Sequence, residues 1–358
     1  MSFEDSTRPP RPGEELDAAR LAGYLRGRIP ALTGELGVTQ FPSGHSNLTY
    51  LLRMGGEEFV LRRPPFGKIP KTGHDMHREW TVLSALSGHY PYAPEPLLYC
   101  DDLSVLGAPF FIMRRLRGLI LRRDLPEGLG LSAGAVRTLC ERLVQAHRAL
   151  HALDYRSLGL EEFGKPQGYV ERQIAGWSRR YRDARTPDAP DFEEVMAWLE
   201  ARRPPERGAA LVHNDFRLDN VVLDPLDPTR IIGVLDWEMA AIGDPLMDLG
   251  ASLAYWVQAD DPPELRAIRV EPTTLPGALT RREVVALYLD GAGLAVEDAT
   301  FYYIYGLFRL AGIAQQIYYR FYHGQTQDPR FGPLVQAVRV LEATARRAMV
   351  QGMPLRVG

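Results

Sequence analysis

In the run His213-Asn214-Asp215-Phe216-Arg217-Leu218-Asp219-Asn220, followed by Asp236-Trp237-Glu238 with Asp236 sixteen positions after Asn220, carboxylates and a neutral oxygen donor stand at spacings that suit chemistry on phosphate. Phosphoryl transfer asks little covalent work of a protein. It needs a carboxylate to take the acceptor hydroxyl's proton, oxygen ligands for Mg²⁺ on the nucleotide, and cations against the phosphate oxygens. Asp215 is the candidate base, and Asn220 and Asp236 are hard oxygen donors of the kind Mg²⁺ takes one or two of from protein. A lone His-x-Asp is more often a turn or a helix cap, so the weight falls on the joint pattern.

The elements that must position these residues can be read around them. Leu211-Val212 is a short apolar entry, His213 to Asn220 is polar and turn-like, Val221-Val222-Leu223 is strand-like, Asp224 to Pro228 is a turn, and Ile231 to Leu235 is a second strand. The sequence predicts a loop opening into a β-hairpin, with Asp215 on the loop, Asn220 at the entry of the first strand and Asp236 at the exit of the second. Such a hairpin brings the two ligand positions together.

The pattern His213-x-Asp215-x4-Asn220 with Asp236 resembles the catalytic segment of the aminoglycoside phosphotransferase and choline kinase-like branch of the protein kinase-like fold. With Val234-Leu235-Asp236-Trp237-Glu238 and Gly243-Asp244-Pro245-Leu246-x-Asp248-Leu249, it is most similar to the kinase-like domains fused to, or encoded beside, acyl-CoA dehydrogenases. The resemblance implies an α+β protein of two lobes: a small N-terminal lobe with an antiparallel sheet plus one helix, and a larger, mainly helical C-terminal lobe carrying the catalytic loop and hairpin. It implies Asp215 as catalytic base, Asn220 and Asp236 as Mg²⁺ ligands, ATP as phosphoryl donor, a small-molecule hydroxyl as acceptor and a functional association with an acyl-CoA dehydrogenase. Asn214 departs from the glycine common at that position, and its side chain is expected to point away from the chemistry.

The first third of the chain reads as the nucleotide-binding lobe, residues 1–114 with a flexible tail over about 1–14, leaving 115–358 for the second. Phe41 to Leu52 is strand, small polar turn, strand; backbone amides of Ser43, Gly44, His45, Ser46 and Asn47 could approach phosphate, though most such turns are plain hairpins. In Glu58-Phe59-Val60-Leu61-Arg62, alternation puts Val60 and Arg62 on one face, an adenine contact beside a phosphate contact. Kinase-like folds usually place lysine there. Arginine is planar and bidentate, and the chain has only Lys68, Lys71 and Lys165; a register slip would substitute Arg63. Met76, Trp80, Leu83 and Leu86 recur at helical spacing with Glu79 on their stripe, so Glu79 should pair with Arg62, the bland alternative being Arg78 or water. Pro109 to Leu116 reads as a strand whose backbone from Met113 to Arg115 meets the adenine edge.

At 358 residues, 45% hydrophobic and 24% charged, the chain suits two lobes of a globular protein. A net charge of −3 with arginines interspersed among acids argues against nucleic acid as partner, and no apolar run suits a signal or membrane span. Cys100 and Cys140 form no framework, so a cytoplasmic protein is expected.

Ser132 can cap a helix through Val136, Leu143, His147 and Leu150. His147 and His151 have metal-ligand spacing, but no further ligand is apparent in sequence and zinc is rejected. Tyr169, Gln173, Trp177 and Tyr181 recur every four residues, more as core than as substrate contact, and the aromatic runs 301–309 and 316–323 are expected to cover the acceptor side. Asp183–Pro190 and Asp260–Thr280 read as mobile surface loops, and Asp244 and Asp248 as anchors of the helix after the Gly-Asp-Pro run. Arg217 has two open roles, contact with the transferring group or pairing with Asp219 or Glu238. From Asp244 onward twelve acids meet eleven arginines, no acidic excess of the kind a polycationic aminoglycoside would want. The resemblance implies an acyl-CoA-like or related acceptor, which arginines and aromatics also suit; antibiotic or amino-alcohol kinases and a nucleotide-binding protein without transfer activity are the rivals.

Overall fold

The computed structural model describes residues 5–29, 33–42, 47–66 and 75–353. The turn residues Ser43, Gly44, His45 and Ser46 lie outside the described residues. Packing divides the chain into two compact units, residues 1–120 with 220–240, and residues 121–219 with 241–358.

In the first unit, α1 (Ala18–Leu25) precedes β1 (Gly37–Gln40), β2 (Leu48–Met54), β3 (Glu57–Arg63), α2 (Met76–Leu86), β4 (Pro96–Cys100), the short α3 (Leu103–Leu106) and β5 (Phe110–Arg114). The strands form one antiparallel sheet in the order β1-β2-β3-β5-β4. Period-two alternation sorts its residues. Tyr50, Leu52, Leu61, Phe110 and Ile112 pack with Leu21 and Leu25 of α1, which leaves Leu51, Val60, Arg62, Phe111 and Met113 for the face of α2. Asp75 caps α2 by accepting the Arg78 N–H (3.0 Å). The sheet therefore has a helix on each face, and α1 is an addition to the single helix expected.

The segment expected to be a flexible tail is held from Arg8 onward. Arg8 and Gln40 exchange backbone hydrogen bonds (2.9 and 2.7 Å), and Tyr50 Oη donates to the Glu14 carbonyl (2.7 Å). Unpaired amides at the β1 edge take up the chain, a use of an open edge that composition does not announce.

The hairpin of β7 (Val221–Leu223) and β8 (Ile231–Val234) is antiparallel, as predicted. It packs with the first unit rather than with the residues before it. Leu119 and Leu223 exchange backbone bonds (2.9 and 2.8 Å), the Val234 N–H donates to the Tyr92 carbonyl (2.7 Å), and Trp237 meets Tyr90 edge-on at 5.9 Å. The division by packing thus differs from a single cut after residue 114.

The second unit is mainly helical: α4 (Ala133–His151), α5 (Tyr169–Ala184), α6 (Glu193–Ala201), α7 (Pro245–Tyr255), α8 (Pro263–Ala267), α9 (Arg281–Ala292), α10 (Thr300–Tyr322) and α11 (Leu334–Gln351), with a two-stranded ladder of β6 (Ala210–Val212) and β9 (Ala241–Gly243). Its axis is α10, buried along most of its length against α5, α7 and α11. The crossing with α7 is close because both helices present glycine: a Cβ on Gly306 would lie 1.9 Å from the Gly250 carbonyl oxygen. The two stretches expected to be mobile are tied in. Gln315 donates to the Ala184 carbonyl (2.9 Å) and Tyr318 to Asp188 (2.7 Å), while in 260–280 Glu271 is buried and Thr273 donates to the Val257 carbonyl (2.7 Å). Their polar composition hid side chains that turn inward.

Candidate active-site residues

In the first unit β3 directs Arg62 toward α2, where Nη1 lies 3.0 Å from Glu79 Oε1. Arg78, the alternative partner for Glu79, instead donates to the Ala240 carbonyl (2.9 Å). Arg62 Nη2 is 3.1 Å from Asp236 Oδ1 and 3.6 Å from Glu238 Oε2. One guanidinium therefore faces three carboxylates. Arg62 is held firmly protonated, with burial opposed by Glu79, Asp236 and Glu238. Glu79 is fully buried, and burial pushes its carboxyl up to about 8 against the pull of Arg62. These directions agree once the surplus is counted: a single cation cannot satisfy three acids in a desolvated place, and the most buried acid gives way.

Asp236 adopts a left-handed conformation (φ 68°), which aspartate tolerates better than most residues. The Leu235 N–H donates to the Asn220 carbonyl (2.8 Å), so the hairpin brings the backbones of the two expected ligands together. Asp236 is the more open carboxylate, 36% exposed, and Mg²⁺ is the kind of cation that its oxygen and the Asn220 amide oxygen would hold; the surplus negative charge beside Arg62 fits that demand.

Other expected nucleotide contacts fall in the same unit. Val60 and Met113 are cross-strand partners and both are buried. Asn47 is buried, with Nδ2 donating to Glu238 Oε2 (2.7 Å). Arg115 forms an ion pair with Glu58, and the amides of Arg114 and Arg115 donate to the Glu95 (2.8 Å) and Glu58 (3.4 Å) carbonyls. Those two amides are engaged within the sheet, which narrows the backbone groups of 113–115 open to an adenine edge. Glu238 was not expected as a partner of Arg62; its place directly after Asp236-Trp237 was the signal.

In the second unit the loop after β6 carries Asp215. Its backbone is fixed from behind by Asp248 of α7: Oδ2 accepts the His213 N–H (2.7 Å) and Oδ1 the Asn214 N–H (2.8 Å). His147 and His151 Nε2 each lie 3.1 Å from the same Oδ2, and His151 Nδ1 is 2.6 Å from Tyr288 Oη. The histidines hold the Asp248 carboxyl well below the usual range despite its burial, and burial together with His151 lowers His147 to about 4. Asp248 was expected to anchor its own helix, and it anchors the loop. It also supplies the third donor group that was not apparent beside His147 and His151, the three offering ligand atoms within 4.8 Å of one another. Those atoms are engaged in hydrogen bonds centred on Asp248, so the cluster acts as an anchor. Asp244 is the helix cap expected, accepting the Leu246 N–H (2.8 Å).

Asn214 has φ 64°, the conformation that makes glycine the easy choice there, and the Tyr169 hydroxyl donates to its Oδ1 (3.2 Å). The Asp215 N–H donates to His213 Nδ1 (3.2 Å). Arg217 Nε lies 3.2 Å from the Asp215 carboxylate, and Nη1 is 2.7 Å from Asp219 Oδ1. Pairing with Asp219 was one of its expected roles; the contact with the candidate base itself was not foreseen. The Arg217 guanidinium stands over the Tyr255 ring at 4.7 Å. Glu271, absent from the sequence reading, accepts the Leu218 N–H (2.7 Å); burial, opposed by Arg217, pushes its carboxyl up to about 8. Its only sequence signal was an acid in a segment taken for surface.

Comparison with known proteins places these arrangements. Residues 37–282 match the model of the phosphotransferase enzyme family. Acyl-CoA dehydrogenase family member 11 of Gallus gallus is 34% identical over 337 residues, covering 90% of this chain and 42% of that protein. The chain thus spans about two-fifths of the length of that relative. A crystal structure from Ralstonia eutropha JMP134, assigned as an aminoglycoside phosphotransferase, superposes with a TM-score of 0.80 at 29% identity, covering 94% of this chain and 99% of that one. Choline kinase from Cryptosporidium parvum shares the fold at 13% identity, with a TM-score of 0.62 and coverage of 93% and 96%. This chain belongs to the phosphotransferase enzyme family and is a small-molecule kinase of the protein kinase-like fold.

Proposed function

We propose that the chain transfers the γ-phosphoryl group of ATP, with Mg²⁺, to a hydroxyl of an acyl-CoA-like or related hydroxy metabolite. The observation that carries the transfer is the held carboxylate: Asp215 follows two amides fixed on Asp248, and Arg217 grips it at 3.2 Å. Held so, Asp215 accepts the acceptor hydroxyl's proton on a carboxylate oxygen, and Arg217 balances the charge around it. Arg62, restrained by Glu79, steadies phosphate oxygens, while Val60, the Met113–Arg115 backbone and the turn from Ser43 to Asn47 hold the nucleotide. Asn220 and Asp236 would hold Mg²⁺, which when bound would neutralise phosphate charge.

The acyl-CoA-like acceptor, and a working association with an acyl-CoA dehydrogenase, are favoured by the names of relatives that are 33–34% identical. Two buried free cysteines suit a reducing cytoplasm. The test is Mg²⁺-dependent ADP release from ATP with a 4-hydroxyacyl-CoA panel, a kanamycin-type aminoglycoside or no acceptor. Stimulation by the thioesters, lowered by orders of magnitude in Asp215→Asn with nucleotide binding kept, is the expected result. Stimulation by the aminoglycoside alone would replace the acceptor; nucleotide binding lost in the variant would remove Asp215 from the role of base.

A further inference from the structure

Arg217 meets the candidate base at 3.2 Å while its Nη1 lies 2.7 Å from Asp219 Oδ1, so one cation is shared between two carboxylates of its own loop. A long side chain with many rotamers settles between two acids only where its backbone is fixed. That backbone is fixed from outside the loop. The N–H of Leu218, the residue between Arg217 and Asp219, donates to Glu271 Oε1 at 2.7 Å. Asp248 fastens the two amides ahead of Asp215 and Glu271 fastens one behind it, so the base is bracketed by two buried carboxyl groups.

Glu271 is itself well held. It lies between α8 and α9, it is 1% exposed, and the chain beside it is tied inward where the Thr273 hydroxyl donates to the Val257 carbonyl (2.7 Å). With Arg217, Phe216, Ser252 and Trp256 it lines a cavity of about 20 Å³, room for about one water, so little solvent screens the carboxyl from the guanidinium. The charged and titratable groups around this place are Arg217, Asp215, Asp219 and His213 from the loop, Tyr255 from α7, and His147 and Cys140 from α4. Burial lowers His147 to about 4 and pushes the Cys140 thiol up to about 11, so both are neutral near pH 7. Burial, opposed by Arg217, likewise favours the neutral form of Glu271 there. A neutral carboxyl accepts the amide bond without becoming a third anion in competition for Arg217.

We propose that Glu271 is a positioning residue for the transfer: through the Leu218 amide it sets the place of Arg217, and thereby how tightly Asp215 holds a proton. The inference rests on the phosphotransferase reading, with Asp215 as base, and adds to it a residue that acts from behind the loop. An opposite charge close to a carboxylate favours its ionised form, and the effect depends steeply on where that charge stands. Asp215 must be ionised to receive the acceptor hydroxyl's proton, so a displaced Arg217 leaves the base protonated over more of the acid range.

The experiment compares wild type, Glu271→Gln, Glu271→Asp and Glu271→Ala on the full chain. Two readouts are taken against pH: NMR of labelled aspartate carboxyl carbons, with Asp215 assigned by the resonance that Asp215→Asn removes, and kcat from ADP release with the 4-hydroxyacyl-CoA panel. Glu271→Gln keeps a neutral oxygen for the Leu218 amide, so the Asp215 titration should stay at its wild-type midpoint and kcat within about twofold. Glu271→Ala removes the acceptor, and the Asp215 midpoint should rise by about one pH unit. The acid limb of kcat should move with it, and kcat at neutral pH should fall about tenfold with KM for ATP unchanged. Glu271→Asp, shorter by a methylene, should shift the midpoint in the same sense by less; if the alanine variant does not fold, the aspartate and glutamine variants decide. A purely structural role would lower stability without moving the midpoint. An Asp215 midpoint unmoved in Glu271→Asp and Glu271→Ala, or moved as far by Glu271→Gln, would overturn the inference. Because the carboxyl titration needs no turnover, absent ADP release in wild type would count against the kinase reading while the NMR series still decides whether Glu271 governs Asp215.

Discussion

Replacing Glu79 by glutamine and by alanine should move stability in opposite directions. Arg62 faces Glu79 at 3.0 Å, Asp236 at 3.1 Å and Glu238 at 3.6 Å, and burial, opposed by Arg62 and reinforced by Asp236 and Glu238, raises the Glu79 carboxyl from 4.5 to about 8. The raised value means that the folded protein binds a proton which the unfolded chain has released. Stability from this group is therefore full below about pH 4.5 and is lost progressively as pH rises toward 8. At 1.36 kcal/mol per pH unit the interval up to pH 7 sets an upper bound of about 3 kcal/mol, and coupling to Arg62 reduces the expected gain of Glu79→Gln to about 1–2 kcal/mol. Glu79→Ala leaves a cavity and takes a partner from Arg62, so it should lose about 2 kcal/mol or more. The assay is denaturant unfolding from pH 5 to 8 without Mg²⁺ or nucleotide, with KM for ATP measured in parallel. Glu79→Gln should flatten the decline with pH in part, since Glu271 titrates in the same sense, and Glu79→Ala should raise KM because Arg62 loses the partner that holds it at 3.0 Å. A glutamine variant that unfolds as readily as the alanine variant at pH 7, with the pH slope unchanged, would refute the surplus-charge reasoning.

Three further outcomes follow from the same geometry. Asp236→Asn should raise the Mg²⁺ concentration needed for half-maximal turnover by tenfold or more, read from ADP release against Mg²⁺, because the open carboxylate beside Arg62 is lost. Asp248→Asn keeps the shape but leaves fewer acceptors for the His213 and Asn214 amides and both histidines, so it should cost about 3 kcal/mol in unfolding free energy and much of kcat. Asn214→Gly should leave thermal stability within about 1 kcal/mol, whereas Asn214→Val, forced to φ 64°, should destabilise by about 2 kcal/mol in the same melts.

What was legible in the sequence is what local chemistry writes locally. The hairpin could be read because Val221–Leu223 and Ile231–Val234 are apolar runs bracketing a turn, and Glu79 with Arg62 because a charge on a buried helical stripe requires a partner. What escaped depends on partners distant in the chain. Glu271 meets the Leu218 amide, and Asp248 meets four donors drawn from α4 and the loop, across separations that no periodicity encodes. The sheet edge that captures Arg8 belongs to the same class, since an unpaired backbone leaves no signature in side chains.

The Asp248 clamp has a kinetic consequence for a loop that is short and polar. Because both amides are fastened to a carboxylate fully enclosed by α4 and α7, the loop cannot open without disturbing the helical core beneath it. The His213 and Asn214 amides should then exchange their hydrogens with solvent as slowly as those in the middle of α7, through unfolding of the unit rather than local fraying. The rigidity of the loop that carries Asp215, the proposed base, is thus borrowed from the interior rather than made within the loop.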